Sequence, residues 1–196
     1  MVVIPVIWLY LVFSYLIGNI MFGYLVIKIL HHKDIRLHGS GNVGARNAGR
    51  LHGRKAFALI FLGDALKGIS VILIARYLHL PEYVQLIGLG MAILGHIKPA
   101  ALKFKGGKGI STFIGGMICF DPLLIAVILL AFFALYPFTK SFTFSGLGAF
   151  LFIPIFLIFK HYQWITFVIE LALIAIIFLA HSGNIKERLK SRRQKG

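Results

Sequence analysis

Almost every stretch of this chain is hydrocarbon, and two polar, glycine-rich segments at 39–50 and 103–112 interrupt it. The opening apolar run, 1–29, is long enough to span a bilayer. A second run over 56–75 leads to a small turn at 76–82, and a third over 83–94 leads back toward the second polar segment. Beyond Gly109 the hydrophobic residues divide at Asp121-Pro122, where Asp can cap and Pro can occupy the first turn of a new helix. Helices are therefore predicted over 110–120, 122–136, 142–159 and 163–180. At 1.5 Å per residue the first of these covers only about half of a ~30 Å hydrocarbon core, so it is tilted, broken or buried against its neighbours. With no internal repeat, linker or low-complexity segment, the pattern predicts an all-α polytopic membrane protein, residues 1–196 forming one domain of seven spans, one of them short.

Composition sharpens the class. Hydrophobic residues make up 59% of the sequence and charged residues 14%, and the mean hydropathy is +0.88, which excludes an ordinary soluble domain. The first run lacks a basic leader and a small-residue cleavage pattern, so it reads as a retained span and not a signal peptide. The single cysteine, Cys119, rules out an intrachain disulfide and reads as a small buried hydrophobe. A formal charge of +15 has a pattern of its own: sixteen of the 21 Lys and Arg residues fall at 33–55, 98–108 and 186–195. The positive-inside bias places these clusters on the cytoplasmic face, with the N-terminus outside and the C-terminus cytoplasmic. Basic residues interleaved with spans, without an aromatic-basic recognition motif, point to anionic membrane lipids and small anionic substrates and away from nucleic acid.

The polar segments hold the candidate chemistry. In the first, Gly39, Gly41 and Gly44 free the backbone, Ser40, Asn42 and Asn47 offer hydrogen bonds, and Arg46 and Arg50 are planar, permanently charged phosphate ligands. In the second, Gly106-Gly107-Lys108-Gly109 directly precedes an apolar helix, which can bring Lys108 and backbone N–H groups to its positive end. No β pattern precedes it, so it is not a nucleotide P-loop. A solvated basic turn against lipid headgroups is an equal alternative for the first segment taken alone. His96 and His181 each stand where a span meets a loop, His181 close to Asn184; anchoring a helix end is the preferred reading for His96. Neither histidine belongs to a zinc constellation, and no metal site is expected. Asp64 and Lys67 lie about 14 and 18 Å along the helix from Lys55, inside the membrane, and read as an ion pair holding the bundle in preference to a proton relay. Glu170, alone in the last span, receives no role.

Taken in order, Gly18-Asn19-Ile20, Asp34-Ile35-Arg36, the 39–44 segment with Asn47 and Arg50, Asp64 with Lys67-Gly68, Gly95-His96, the 104–109 segment, and His181 with Asn184-Ile185 resemble the bacterial acyl-phosphate-dependent glycerol-3-phosphate acyltransferases, the PlsY family. The resemblance implies a seven-helix enzyme of the bacterial plasma (inner) membrane with its active site on the cytoplasmic face. Such an enzyme moves an acyl chain from acyl phosphate to the 1-position of glycerol 3-phosphate, giving lysophosphatidic acid and phosphate for phospholipid synthesis. It also implies that Ser40, Gly41, Asn42 and Lys108 hold acyl phosphate while Arg50, His181 and Asn184 hold glycerol 3-phosphate. No cofactor is called for, because the donor is already an activated mixed anhydride. No Ser-His-Asp arrangement is evident, so direct attack by the substrate hydroxyl is simpler than an acyl-enzyme, with His181 or a substrate phosphate oxygen as base. Two departures stand out: Arg46 replaces a usual threonine, and Ala180-His-Ser-Gly-Asn-Ile185 lacks two arginines and a glutamate of the usual third motif. Composition alone is equally compatible with a transporter or binder of phosphorylated lipid intermediates, or with a scaffold bound electrostatically to anionic lipid, and nothing in the sequence sets an oligomeric state.

Overall fold

The computed structural model describes residues 3–186, so five of the six charges of the third basic cluster, Arg188 to Lys195, lie outside the described residues. The fold is helical, and the chain clusters into two compact units, 1–125 and 126–196. By length and composition, Ile4–His31, Ala45–Tyr77, Glu82–Leu102 and Phe142–Phe159 suffice to cross a membrane, while Ile110–Phe120, Leu124–Thr139 and Trp164–Ala180 are shorter apolar helices.

The first apolar run is not one helix. It breaks into α1 (Val3–Gly18) and α2 (Phe22–His31). Gly18 and Asn19 are poor helix formers, and the Asn19 amide donates back to the Tyr15 carbonyl at 2.8 Å, competing with helix continuation. Apolarity alone gave no sign of this. α3 (Ala45–Tyr77) is far longer than the expected 56–75, because the helix begins inside the first glycine-rich segment. Gly53 interrupts it at φ 83°, ψ −177°, a conformation essentially restricted to glycine. α4 (Glu82–Ile97) and α5 (Ile110–Phe120) follow the expected positions closely.

Small residues make the first unit dense. α1 and α4 run side by side in the same direction: Tyr10 Oη points at the Gln85 carbonyl, and Tyr15 Oη donates to the Lys98 carbonyl at 2.8 Å. A Cβ on Gly18 would overlap the Ala92 backbone, and one on Gly95 the Tyr15 carbonyl. Likewise Gly68 lies against Thr112 and Gly116, and Gly115 against Ala65, so α3 and α5 touch backbone to backbone. Between apolar helices in lipid, this packing replaces the hydrophobic effect as the cohesive term. Leu59, Leu62, Leu66 and Leu73 form an exposed stripe on α3 at helical spacing, the opposite of a soluble protein's pattern and suited to acyl chains.

The short α5 is thus buried against its neighbours. It flanks α3 from Ala65 to Arg76, whose guanidinium donates to the Phe120 carbonyl at 2.8 Å. Because α5 starts beside Gly68, the loop before it reaches the middle of α3.

α6 (Leu124–Thr139), most of which belongs to the second unit, starts two residues after Pro122, which therefore stands ahead of the helix and not in its first turn. Asp121 does act as a local cap, accepting from the Leu123 N–H at 3.0 Å. The expected 142–159 helix is two pieces, α7 (Phe142–Phe150) and α8 (Ile153–Phe159). Pro154 explains the interruption, since its ring excludes a hydrogen bond to the Phe150 carbonyl. α9 (Trp164–Ala180) buries Thr166, Glu170, Leu173, Ile174 and Ile177 on one face. The Thr166 hydroxyl and both Glu170 carboxyl oxygens have no hydrogen-bond partner among the described residues.

Candidate active site

The first glycine-rich segment folds around one side chain. Asn47, 5% exposed, accepts the Ser40 N–H at Oδ1 (3.0 Å) and donates from Nδ2 to the carbonyls of His38 (3.1 Å) and Asn42 (3.0 Å). Its amide hydrogens are thereby committed to the loop. A Cβ on Gly39 would overlap Asn47 Oδ1, and Gly39 and Gly41 both take positive φ, so glycine is required for steric and conformational reasons. Asn42 Oδ1 accepts from the Gly44 N–H at 3.2 Å, and Gly44 is the N-cap of α3. Ser40 is left exposed at the apex. Asp34 clamps the base of the loop by a forked pair to Arg36, closest at 2.7 Å, and Arg36 lies over the Tyr24 ring. The Arg36 hydrogen bonds hold the Asp34 carboxyl below the usual carboxylate range.

Arg46 and Arg50 are on the first two turns of α3. Four residues apart, they share a face. With Gly49, Arg54 and Phe57 they line a depression of about 310 Å³. Arg54 was not among the sequence candidates, and the 46, 50, 54 spacing does not by itself place it there, because Gly53 breaks the helix between Arg50 and Arg54. Three guanidiniums around one hollow concentrate positive charge where an anionic group can be met by planar, permanently charged donors.

The second segment is seated on a buried polar cluster. The Gly107 N–H donates to the His96 carbonyl at 3.0 Å, and a Cβ on Gly107 would overlap His96 Nε2. A Cβ on Gly106 would overlap the His96 carbonyl, so both glycines let the loop pass against the end of α4. Gly109, at φ 78°, is the N-cap of α5, and Lys108 is half-buried beside it. Beneath lies His96, 2% exposed, with Nδ1 2.9 Å from Lys67 Nζ. Lys67 pairs with Asp64 at 2.9 Å and donates to the carbonyls of Ile20 (2.8 Å) and Gly18 (3.2 Å). The expected ion pair is present, and it also satisfies backbone groups that the α1–α2 break leaves without helical partners. His96 is more than an end anchor: it joins that pair to the second loop.

The flanks of the two segments touch within the first unit. An Arg36 guanidinium nitrogen approaches the Leu102 carbonyl at 3.5 Å, and Leu102 packs against the cluster containing Ile35, Val43 and Ala45. Ser40, Gly41, Asn42, Gly44, Arg46, Asn47, Arg50, Gly106, Gly107 and Lys108 all belong to this unit. His181 and Asn184 belong to the second. There His181 Nδ1 lies 2.8 Å from the Ile177 carbonyl, which can only accept, so Nδ1 carries the proton and Nε2 is the basic nitrogen of the neutral ring.

A family model for glycerol-3-phosphate acyltransferase matches residues 8–191. Glycerol-3-phosphate acyltransferase 1 of Bacillus cereus is 46% identical over 170 residues, spanning 87% of this chain and 93% of its own length. The protein of the same name from Desulfitobacterium hafniense is 37% identical over 183 residues, 93% of this chain and 90% of its own. Among solved structures, the glycerol 3-phosphate form of PlsY (YgiH), an integral membrane glycerol 3-phosphate acyltransferase, matches with a TM-score of 0.87 and 30% identity over 95% of this chain and 93% of that one. Its lysophosphatidic acid form matches at 0.85 and 29%. A match over nearly the whole length, with relatives at this identity, establishes that the chain belongs to the glycerol-3-phosphate acyltransferase family of integral membrane enzymes.

Proposed function

We propose that this protein transfers an acyl chain from acyl phosphate to the 1-position hydroxyl of glycerol 3-phosphate, releasing lysophosphatidic acid and inorganic phosphate. The reaction runs at the cytoplasmic face of a bacterial plasma membrane. Seven crossings are made by α1 with α2, α3, α4, α5, α6, α7 with α8, and α9, with the N-terminus outside. One acyltransferase domain then comprises both units.

The observation that carries the reading is that two glycine-rich segments, each seated on a buried side chain, belong to one compact unit and touch through their flanks at Arg36 and Leu102, with three guanidiniums lining a hollow on the helix that follows the first. Neither loop carries a nucleophile with an attendant base, which suits a donor that needs no covalent activation. Ser40, Gly41, Asn42, Gly106, Gly107 and Lys108 receive the donor phosphate. Arg50, His181 and Asn184 receive glycerol 3-phosphate, with Arg46 supplying charge that the third motif lacks and Asn47 and Gly44 shaping the first loop. The acceptor hydroxyl oxygen attacks the acyl carbonyl carbon, the carbon–oxygen bond to phosphate breaks, and phosphate leaves with the bonding pair. The hydroxyl proton goes to His181 Nε2 or to a substrate phosphate oxygen. Fixed N–H groups and the Lys108 ammonium stabilise the charge that grows on the departing phosphate.

Purified protein given acyl phosphate should release phosphate only when glycerol 3-phosphate is also present, and lysophosphatidic acid should appear in equal amount. Substrate flux across proteoliposomes without phosphate release would instead identify a transporter.

A further inference from the structure

The buried Asp64, Lys67 and His96 cluster has no step in that reaction, yet it ends directly under the second glycine-rich loop. A lysine ammonium has donors only. Lys67 Nζ lies 2.8 Å from the Ile20 carbonyl oxygen, 3.2 Å from that of Gly18, 2.9 Å from Asp64 Oδ1 and 2.9 Å from His96 Nδ1. The ammonium has no lone pair to accept with, so at 2.9 Å His96 Nδ1 receives a hydrogen bond from Lys67, while Asp64 Oδ1, 3.6 Å from Nδ1, is beyond hydrogen-bond distance. A neutral imidazole that accepts at Nδ1 carries its hydrogen on Nε2. Nε2 is the atom that a Cβ on Gly107 would overlap, so the N–H edge faces the loop one residue before Lys108. The same residue accepts the Gly107 N–H through its carbonyl.

We propose that His96, locked by Lys67 as the Nε2–H tautomer, is a positioning residue for the second loop, setting where Lys108 and the adjacent N–H groups meet the substrate phosphate. Lys67 is tied to the α1–α2 break on one side and to Asp64 on the same helix, so α1, α3 and α4 jointly locate the imidazole. Gly107 is glycine because a ring edge occupies the space a side chain would take. The inference rests on the reading of the second loop as a phosphate cradle, but it does not depend on which substrate the cradle receives.

Two measurements test it. In the wild-type protein, nitrogen NMR of the histidine ring, assigned by loss of its signals in His96→Gln, should show Nδ1 unprotonated and Nε2 protonated near neutral pH. A protonated Nδ1 on His96 overturns the proposal. In steady-state kinetics, His96→Leu should raise the KM of the same substrate that Lys108→Arg affects. The increase should be about tenfold, the scale of one misplaced hydrogen bond, with the other KM unchanged. His96→Gln, which keeps an N–H near the ring edge, should recover most of the loss. The proposal also falls if the two variants act on different substrates, if His96→Leu leaves both KM values unchanged, or if it lowers activity only in proportion to folded protein. Absence of phosphate release by the wild type would overturn the acyl-transfer reading, while the tautomer measurement would still decide the arrangement of His96.

Discussion

Asn47 and Lys108 illustrate two different uses of polar residues in the candidate site. Asn47 is buried and committed to three loop backbone groups, so it shapes the first segment from inside. Lys108 is half-buried next to the N-cap of α5, where its charge adds to the helix terminus. Lys108→Met should lower phosphate release by roughly 10²–10³, the cost of removing one group that stabilises developing charge, while the exposed Lys105→Met should cost less than about threefold. Equal losses at the two positions, measured on protein of equal folded fraction, would contradict this assignment. Asp34 gives a pH signature. Its carboxyl is held below the ordinary range by hydrogen bonding to Arg36, so its stabilisation is complete above the unfolded value near 3.9 and is lost as pH falls through the lower folded value. Both side chains are about a quarter exposed (27% and 22%), which limits the contribution to less than about 1 kcal/mol. Thermal melts of the wild type and Asp34→Asn should therefore differ most above about pH 5 and converge in acid; a gap that widens on acidification would refute the assignment. The residue types of both loops were legible in the sequence. Which of them face a ligand and which hold the backbone was not, because Asn47 and Asn42 have the same chemistry and differ only in what surrounds them.

At the scale of elements, hydropathy located the helices but missed their interruptions. α5 coincides with the expected 110–120, and α9 with 163–180 to within a residue at its start. The breaks at Asn19 and before Pro154 went unseen, since flanking residues remain apolar on both sides. Lipid selects apolar residues regardless of whether the backbone is continuous, provided that freed carbonyls find a donor such as Lys67. The α3–α5 contact carries the clearest expectation. Gly68→Val would place a branched side chain into the Thr112 carbonyl and the Gly116 backbone, which can yield only by separating the helices. A loss of about 1–3 kcal/mol is expected, seen as a lower melting temperature in detergent, together with weaker phosphate release because α5 carries the second loop. Gly146→Ala, at a position with no atom within 4 Å of a Cβ, should leave both unchanged.

For the whole molecule, the proposed orientation makes single-cysteine labelling decisive once Cys119 is replaced. Cysteines at Ser40, Lys105 and Lys140 should react only from the cytoplasmic side, and those at His79 and His161 only from outside. Outside labelling at Ser40 would invert the reading; inside labelling at His161 alone would change the number of crossings in the second unit. Arg50→Ala and His181→Ala should each raise the glycerol 3-phosphate KM by at least about tenfold and the acyl-phosphate KM much less, the magnitude of a lost charge-assisted hydrogen bond. An effect confined to acyl phosphate would exchange the two assigned half-sites. By itself the sequence determined the helical membrane class, the approximate spans, the family and the residue types available for phosphate, because hydropathy, glycine content and motif order are properties of the chain alone. Only the tertiary structure decided that Arg54 joins Arg46 and Arg50 around one hollow and that Asp64, Lys67 and His96 form a buried support for the second loop. The buried cluster joins residues 29 apart, Lys67 on α3 and His96 on α4, and close backbone contacts at glycines hold the helices that carry it. No local pattern encodes which faces those contacts bring together.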